Sequence, residues 1–372
     1  MKAAAATLAI VAAALSASGS MKQSEALVRL LNSRSAQSPA LYEEAAGRVA
    51  RDAETGMPLQ RYMLAVLSGI PGLPAAAQLD DAKRRAYLDG SRDRIRQLAE
   101  RTGNPLAWYL LSLEDNDMEC LRRAAKGKNV QALNAWGTLL LNQAQSDPAA
   151  TNVVDLQEKS FRCFRLAAAQ NDANGLYNMG MCYMHGFGCR QDPAMALQCF
   201  RTAADAGHPE AINNIGGCFR DGIAVDRDPA EAAKWFKKSA ELGDQFGQLN
   251  YALALQRGDG VSKDEAAAVE LLRASAAQGC AEAMNVYGMC YYSGRGLEKN
   301  PAMAVEWFKR SAAAGFPPAM ENLADCCEKG IGTERNAMQA TVWLMRSRAA
   351  RGDAAAAEWL DSARPGEKEA PE

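Results

Sequence analysis

Hydrophobic positions recur in the second half of the chain with a helical spacing, and the whole pattern repeats every 36 residues. In the unit 281–316, this spacing predicts a first helix from about Glu282 to Tyr292 and a second helix from Pro301 to about Ala314. Equivalent residues form two apolar columns on the first helices, four residues apart and so on one side of each helix. These columns are Met179, Ile215, Tyr251, Tyr287 and Leu323, and Tyr183, Phe219, Leu255 and Tyr291.

Bulky and small residues alternate between the two helices of each unit. The second helices carry the bulky column Phe200, Phe236, Leu272, Phe308 and Leu344, and the first helices carry the small column Gly180, Gly216, Ala252, Gly288 and Ala324. Such columns let neighbouring helices interlock. One helix pair alone would leave most of this surface exposed, so the pairs are expected to be stable only when stacked. The sequence therefore predicts an all-α solenoid of stacked antiparallel helix pairs.

Turn and capping residues recur with the same spacing of 36 residues. Glycine can adopt the left-handed geometry of a helix C-cap, and Asp or Asn supplies the N-cap oxygen of each second helix. The glycines are Gly186, Gly222, Gly258, Gly294 and Gly330, and the N-caps are Asp192, Asp228, Asp264, Asn300 and Asn336. A dinucleotide-binding loop needs a strand before its glycines, whereas here a helix precedes each Gly-x-Gly, so we interpret these segments as structural turns.

The repeated pattern A-x-x-N-x-G-x-x-Y-x-x-G-x-G, followed by Asp or Asn, Ala, Trp-Phe and A-x-x-G, resembles the Sel-1-like repeat family. The match is clear over 173–353 and looser over 129–172. The resemblance implies a right-handed α-α superhelix of tetratricopeptide-related helical repeats. It also implies a non-enzymatic scaffold or adaptor that binds a protein or peptide on its concave face, and many bacterial members are exported.

The chain is expected to have four parts. Residues 1–20 have the composition of a secretory signal peptide, and 21–128 are expected to be degenerate helical repeats that form an N-terminal cap. The repeat array is expected over 129–353, with five full units from 173. Residues 354–372 are expected to be a capping helix and tail. Ala99 to Trp108 and Met57 to Gly69 are the predicted degenerate helices. A cleaved signal would make the protein periplasmic or secreted. Instead of a signal peptide, this segment could be an ordinary N-terminal helix, or the protein could start at Met21. In either case the protein would be cytoplasmic.

Composition narrows the classes of function. The formal net charge is −2, so the basic footprint of a nucleic-acid-binding protein is missing, and no apolar stretch after residue 20 is long enough to span a membrane. The histidines His185 and His208 lie in no H-E-x-x-H motif, and neither a Walker loop nor S-x-x-K occurs. We expect no cofactor and no metal. The oligomeric state stays open.

The strongest candidates for ligand contact are asparagines on the first helices. Because an amide donates and accepts at once, a column of them could hold a peptide backbone. The column is Asn178, Asn214, Asn250 and Asn322, with Val286 breaking it. Further candidates on the same helices, which vary in type between units, are Asn213, Asn285, Tyr177, Arg220, Gln256 and Tyr292. The alternative is that each amide ties adjacent helices together.

Ten cysteines, an even number, leave two interpretations open. Their places in the columns indicate small core residues, whereas an exported chain permits disulfides. Exported cysteine-rich members of the family cross-link the helices of one repeat, at a different spacing from any found here. Cys182 and Cys199 could bridge one unit if their positions face each other. Two other functions also remain: a hydrolase-like enzyme with its site in the irregular part 21–128, and a structural spacer without a ligand.

Overall fold

The computed structural model describes residues 81–115 and 117–362, and the predicted signal peptide and the predicted helix Met57 to Gly69 lie outside them. By its internal contacts the chain divides into two compact units, the first ending at Gly207 and the second beginning at His208. The described residues are helical, without strands. This confirms the predicted all-α class.

The described part of the first unit contains seven helices, of which consecutive ones pack against each other. They are α1 (Asp81–Thr102), α2 (Pro105–Asp115), α3 (Met118–Lys126), α4 (Val130–Ser146), α5 (Val153–Ala168), α6 (Ala173–His185) and α7 (Pro193–Asp205). The single helix predicted from Ala99 to Trp108 is wrong. Gly103 has a left-handed φ of 66° and Asn104 caps α2 through Leu106 N, so the segment is a helix–turn–helix junction.

The described part of the second unit contains nine helices, again packed in consecutive pairs. They are α8 (Pro209–Asp221), α9 (Pro229–Glu241), α10 (Gln245–Arg257), α11 (Glu265–Ala277), α12 (Ala281–Ser293), α13 (Pro301–Ala313), α14 (Pro317–Lys329), α15 (Ala337–Ala350) and α16 (Ala354–Ser362). Helices α8, α10, α12 and α14 are the first helices of their repeats. The stack of helix pairs predicted for this region is confirmed.

Turns and caps follow the predicted pattern. The five glycines that end the first helices have φ between 68° and 76°, and every predicted N-cap accepts a hydrogen bond from the backbone of its helix. Ala224 stands where the neighbouring turns have their second glycine, and it is held at φ 60°. Alanine is strained in this region because its Cβ crowds the backbone.

Glycine also permits the close contacts within and between repeats. A Cβ at Gly216 would lie 2.7 Å from the ring of Phe236, and one at Gly288 would lie 2.7 Å from Phe308. Between repeats, a Cβ at Gly260 would overlap the carbonyl oxygen of Pro229 at the start of α9. The bulky and small columns therefore interlock as the sequence predicts.

Leu344 departs from its column. It is 44% exposed, whereas Phe308, its counterpart one repeat earlier, is 1% exposed. Arg348, which occupies the position of buried Ala312, is also exposed, and its guanidinium bonds to Asp353. The large buried side chain of α15 is Trp343 instead. The prediction that Leu344 is a core residue is wrong.

Candidate functional site

Four of the predicted binding asparagines bond to each other in two pairs. Asn250 Nδ2 on α10 donates to Asn213 Oδ1 on α8 at 2.8 Å, and Asn322 Nδ2 on α14 donates to Asn285 Oδ1 on α12 at 2.8 Å. All four side chains are half-buried. Each pair joins successive first helices, which is the helix-tying role that the sequence left as the alternative to peptide binding.

An apolar pair takes the place of the asparagines at the intervening level. Leu249 on α10 is the counterpart of Asn213, and Val286 on α12 is the counterpart of Asn250. Leu249 is buried in a hydrophobic cluster, and Val286 packs against the same cluster. We call each contact between successive first helices a level. Both partners of the pair are polar at the α8–α10 and α12–α14 levels and apolar at the α10–α12 level between them. Half-buried polar groups are satisfied by each other or replaced together.

Arg220 is fixed near the asparagine pair of α8 and α10. Its Nε and Nη2 each donate to a carboxylate oxygen of Asp221 at 2.8 Å, and its Nη1 donates to Asn250 Oδ1 at 3.2 Å. The arginine side chain is 49% exposed. The hydrogen bonds from Arg220 hold the pKa of Asp221 below its usual range. The guanidinium is therefore an oriented donor at the surface.

The remaining predicted contacts lie in different surroundings. Gln256 is 8% exposed and its amide donates to Cys290 Sγ at 3.1 Å, so it belongs to the packing of α10 on α12 and is not accessible to a peptide. Tyr292 is half-buried and packs against the cluster around Phe308. Asn214 is half-buried on α8.

Two predicted residues belong to the first unit. Tyr177 and Asn178 are half-buried on α6, where the Tyr177 ring lies 6.0 Å from the ring of Phe200. The ring of Tyr177 therefore contributes to the contact between α6 and α7.

A small pocket, partly open to solvent, lies between α8, α9 and α10. Its apolar wall includes Phe236 and Leu253, and its polar rim consists of Arg220, Asn250, Arg257 and Asp259. Two of these rim residues were predicted from the sequence. Arg257 and Asp259 were not, although the position before Gly258 differs in type from repeat to repeat, which is the signal that could have found Arg257.

The ten cysteines are free thiols in the structure, eight of them buried and two half-buried. Burial raises the pKa of Cys182 to about 12 and that of Cys199 to about 11. These thiols are protonated at neutral pH and are therefore poor nucleophiles. The pairing of Cys182 with Cys199 stays a prediction, which mass spectrometry under non-reducing conditions would test.

Other chemistry is sparse within the described residues. His208 Nδ1 accepts from Ala211 N at 3.3 Å, which makes His208 the N-cap of α8. Across 81–115 and 117–362 there is no cluster of three or more His, Cys, Asp or Glu side chains that could hold a metal ion. Over the same ranges, no helix combines the length and apolarity needed to cross a membrane.

Comparison with protein families gives one match. The Sel1 repeat model matches residues 154–172, 173–208, 209–244, 246–280, 281–316 and 317–347, together more than half of the chain. The first matched segment begins inside the looser unit 129–172. A comparison with curated proteins found no match.

Two solved structures show the same architecture. The Sel1 repeat protein from Oxalobacter formigenes is 26% identical, with a TM-score of 0.52, over 69% of this chain and 96% of its own. The protein c5321, a protective antigen present in uropathogenic Escherichia coli strains and displaying an SLR fold, is 28% identical, with a TM-score of 0.53, over 87% of this chain and 68% of its own.

Proposed function

The chain belongs to the Sel1 repeat family, and on that premise we propose that it is a non-enzymatic scaffold that binds a protein or peptide on the face formed by its first helices. Sel1 repeat proteins are generally protein-interaction scaffolds with a non-catalytic fold. In the second unit this face includes Asn214, Arg220 and Tyr292, and the pocket between α8, α9 and α10 opens beside it.

The pocket is the observation that carries the proposal. An apolar wall with a few convergent polar groups is the usual composition of a ligand site. Phe236 in its wall is held by the close contact with Gly216. The Phe236 side chain is 3% exposed, so the base of the pocket belongs to the rigid core of the repeat.

The helix-tying asparagines support the same proposal in a different way from the one predicted. They fix the spacing of α8 against α10 and of α12 against α14. The residue types that differ between repeats are then presented on a constant frame. One position of the first helix is Arg220, Gln256, Tyr292 and Glu328 in four successive repeats, and of these all but the buried Gln256 reach the surface. A constant frame with variable side chains is what recognition of one partner among many requires.

Photo-crosslinking tests this function. A photoreactive phenylalanine derivative replaces Tyr292 on α12, and the control replaces Lys237, an exposed residue on the second helix α9. The expected result is one adduct at position 292, identified by mass spectrometry, and none at 237. The same adducts at both positions, or none at either, would favour a structural spacer without a ligand.

The hydrolase alternative rests on residues 21–128, of which those before 81 lie outside the described part. Turnover of a reporter ester or peptide substrate by the full chain, lost on a single substitution in that segment, would replace the scaffold proposal.

Export is a further proposal, and residues 1–20 are its support. A short basic start, an apolar stretch and small residues at its end have the composition of a cleaved signal. Mass spectrometry of the mature protein, together with cell fractionation, tests it. We expect an N-terminus near residue 21 and a periplasmic or secreted fraction, and an intact Met1 in a cytoplasmic fraction would contradict export.

A further inference from the structure

We propose that an exposed apolar patch, formed by Leu242 and Phe246, binds a peptide segment in which one apolar residue lies between two cations. Neither residue lines the pocket between α8, α9 and α10. The inference rests on the proposed scaffold function and names the chemistry of the bound segment. It follows from the exposure of the two side chains, the charges around them and the spacing of the repeats.

The two apolar side chains depart from the residue types of the neighbouring repeats. Leu242 is the C-cap of α9 and Phe246 is the second residue of α10, and each is 44% exposed. The counterparts of Phe246 are Glu210 and Glu282, and the counterpart of Leu242 after α11 is Gln278. The same turn is thus formed without apolar side chains, so the fold does not account for this exposed pair. Two exposed apolar side chains on one turn, unlike a single one, indicate a contact surface.

The turns on this side of the second unit are open. A Cβ added to Gly243, directly after Leu242, would meet no other atom within 4 Å, and the same holds for Gly279 at the next turn. No other part of the chain that the structure describes covers these turns. A partner can therefore reach the ring of Phe246 without a rearrangement of the repeats.

Acidic side chains surround the patch. Glu241 directly precedes Leu242, and Glu210 and Glu282 hold the position of Phe246 on α8 and α12. The Glu210 side chain is 24% exposed, and Glu241 and Glu282 are exposed. No Lys or Arg occurs in the three segments that form this edge of the second unit, 208–214, 241–250 and 277–286. A partner with cations on both sides of an apolar residue therefore matches the edge in charge.

Two cations from outside the edge lie near these acids, and each has a carboxylate partner. Lys237 Nζ lies 4.0 Å from Glu241 Oε1. Arg220 interacts electrostatically with Glu282, but its guanidinium donates two hydrogen bonds to Asp221. Glu282 itself makes no hydrogen bond or ion pair with the residues that the structure describes. Its carboxylate is therefore available to a cation of the partner.

The spacing of the repeats sets the length of the bound segment. Packed helices lie about 8–10 Å apart, so Glu210 and Glu282 are separated by about 16–20 Å, with Phe246 between them. An extended chain covers about 3.3 Å per residue. Two cations about six residues apart, with the apolar residue midway, therefore reach both carboxylates and the ring.

Fluorescence anisotropy on the full chain tests the inference. The probe is the fluorescein-labelled peptide Gly-Lys-Gly-Ser-Leu-Ser-Gly-Lys-Gly, which has its two lysines six residues apart. We expect it to bind, and we expect a probe with Ser in place of Leu, or with Glu in place of both Lys, to bind about tenfold more weakly or worse. No binding of the first probe, or equal binding of the serine probe, would overturn the inference.

Phe246→Glu distinguishes the apolar contact from general attraction between charges. The variant copies the residue of both neighbouring repeats, so we expect a normal thermal melt. Attraction between charges alone would strengthen binding of the probe, because the variant adds an acid. Loss of the apolar contact should instead weaken it by about tenfold. Unchanged or tighter binding would contradict the role of Phe246.

A charge exchange locates the cations. Glu282→Lys should weaken binding of the probe by about threefold to tenfold, since exposed ion pairs are individually weak. One of the two probes with a single Lys replaced by Glu should then bind this variant better than it binds the parent protein. The matched control is Glu358→Lys, an exposed acid on α16, which should change neither result. Failure of both exchanged probes, or an equal effect of the control, would overturn the inference.

The photo-crosslink at Tyr292 separates the two proposals. An adduct at 292 without binding of the lysine probe leaves the scaffold function standing and removes only the patch at Leu242 and Phe246. Specific binding of the probe without an adduct at 292 keeps the patch and removes the rest of the proposed binding face.

Discussion

Two successive repeat contacts, α8 with α10 and α10 with α12, share the same backbone contact and differ in the side-chain pair between the first helices. In both, the second glycine of the turn lies against the start of the preceding second helix, Gly260 on Pro229 and Gly296 on Glu265. The pair that differs is Asn213 with Asn250 in the first contact, and the corresponding residues are Leu249 and Val286 in the second. The backbone contact is therefore constant. The side-chain pair can vary, provided that both residues are polar or both are apolar.

Breaking the constant part should have the largest effect. Gly260→Ala places a Cβ on the carbonyl oxygen of Pro229 and also forces alanine to a φ of 72°, so we expect a loss of about 2–4 kcal/mol in the free energy of unfolding. Gly258→Ala is the control, since it has a φ of 76° but its nearest neighbour would be 3.6 Å away, and it should lose about 1 kcal/mol. Denaturant unfolding measures both. Equal losses would contradict the docking role of Gly260.

Mixing the variable pair should have the next largest effect. Asn250→Val leaves Asn213 Oδ1 without its donor and should cost about 1–2 kcal/mol, since the amides are half-buried. Adding Asn213→Leu copies the pair of the next level and should recover most of that loss. A double-mutant cycle gives the coupling energy. A double variant as unstable as the sum of its single variants would contradict the rule of matched pairs.

The turn before this contact offers a smaller, stabilising change. Ala224 has a φ of 60° where the turns at Gly260 and Gly296 have glycine. Ala224→Gly removes the strain but makes the unfolded chain more flexible, so we expect a gain of about 0.5–1 kcal/mol. A thermal melt with the midpoint unchanged or lowered would show that Ala224 is not strained.

The smallest expected effect is on binding, at the polar level away from the pocket. Asn285→Leu with Asn322→Val makes this level apolar and should leave capture of the partner by the crosslinker at Tyr292 unchanged. Loss of the adduct in a variant that melts normally would mean that these amides contact the peptide, as the sequence alone suggested.

The columns of the sequence predicted the helix pairs, their caps and their turns, because the periodic positions report burial directly. They did not predict the partners of the asparagines. Residues aligned in a column lie 36 apart, whereas the bonded pairs 213–250 and 285–322 join neighbouring positions of successive repeats.

Two residues were not predicted from the columns. Leu344 is exposed although it lies in the bulky column, and Trp343 beside it is buried instead. Arg257 was not predicted, although its position varies in type between repeats and such positions supply the specificity of an interaction surface.

Because polar and apolar levels alternate between α8 and α14, the effect of a deletion there depends on whether one repeat or two are removed. Excising one repeat, 245–280, would set Asn213 against Val286 and strand an amide, whereas excising the two repeats 245–316 would set Asn213 against Asn322 and preserve the match. Deletion of residues 245–316 should therefore be tolerated better than deletion of 245–280, even though the smaller deletion discards less of the fold.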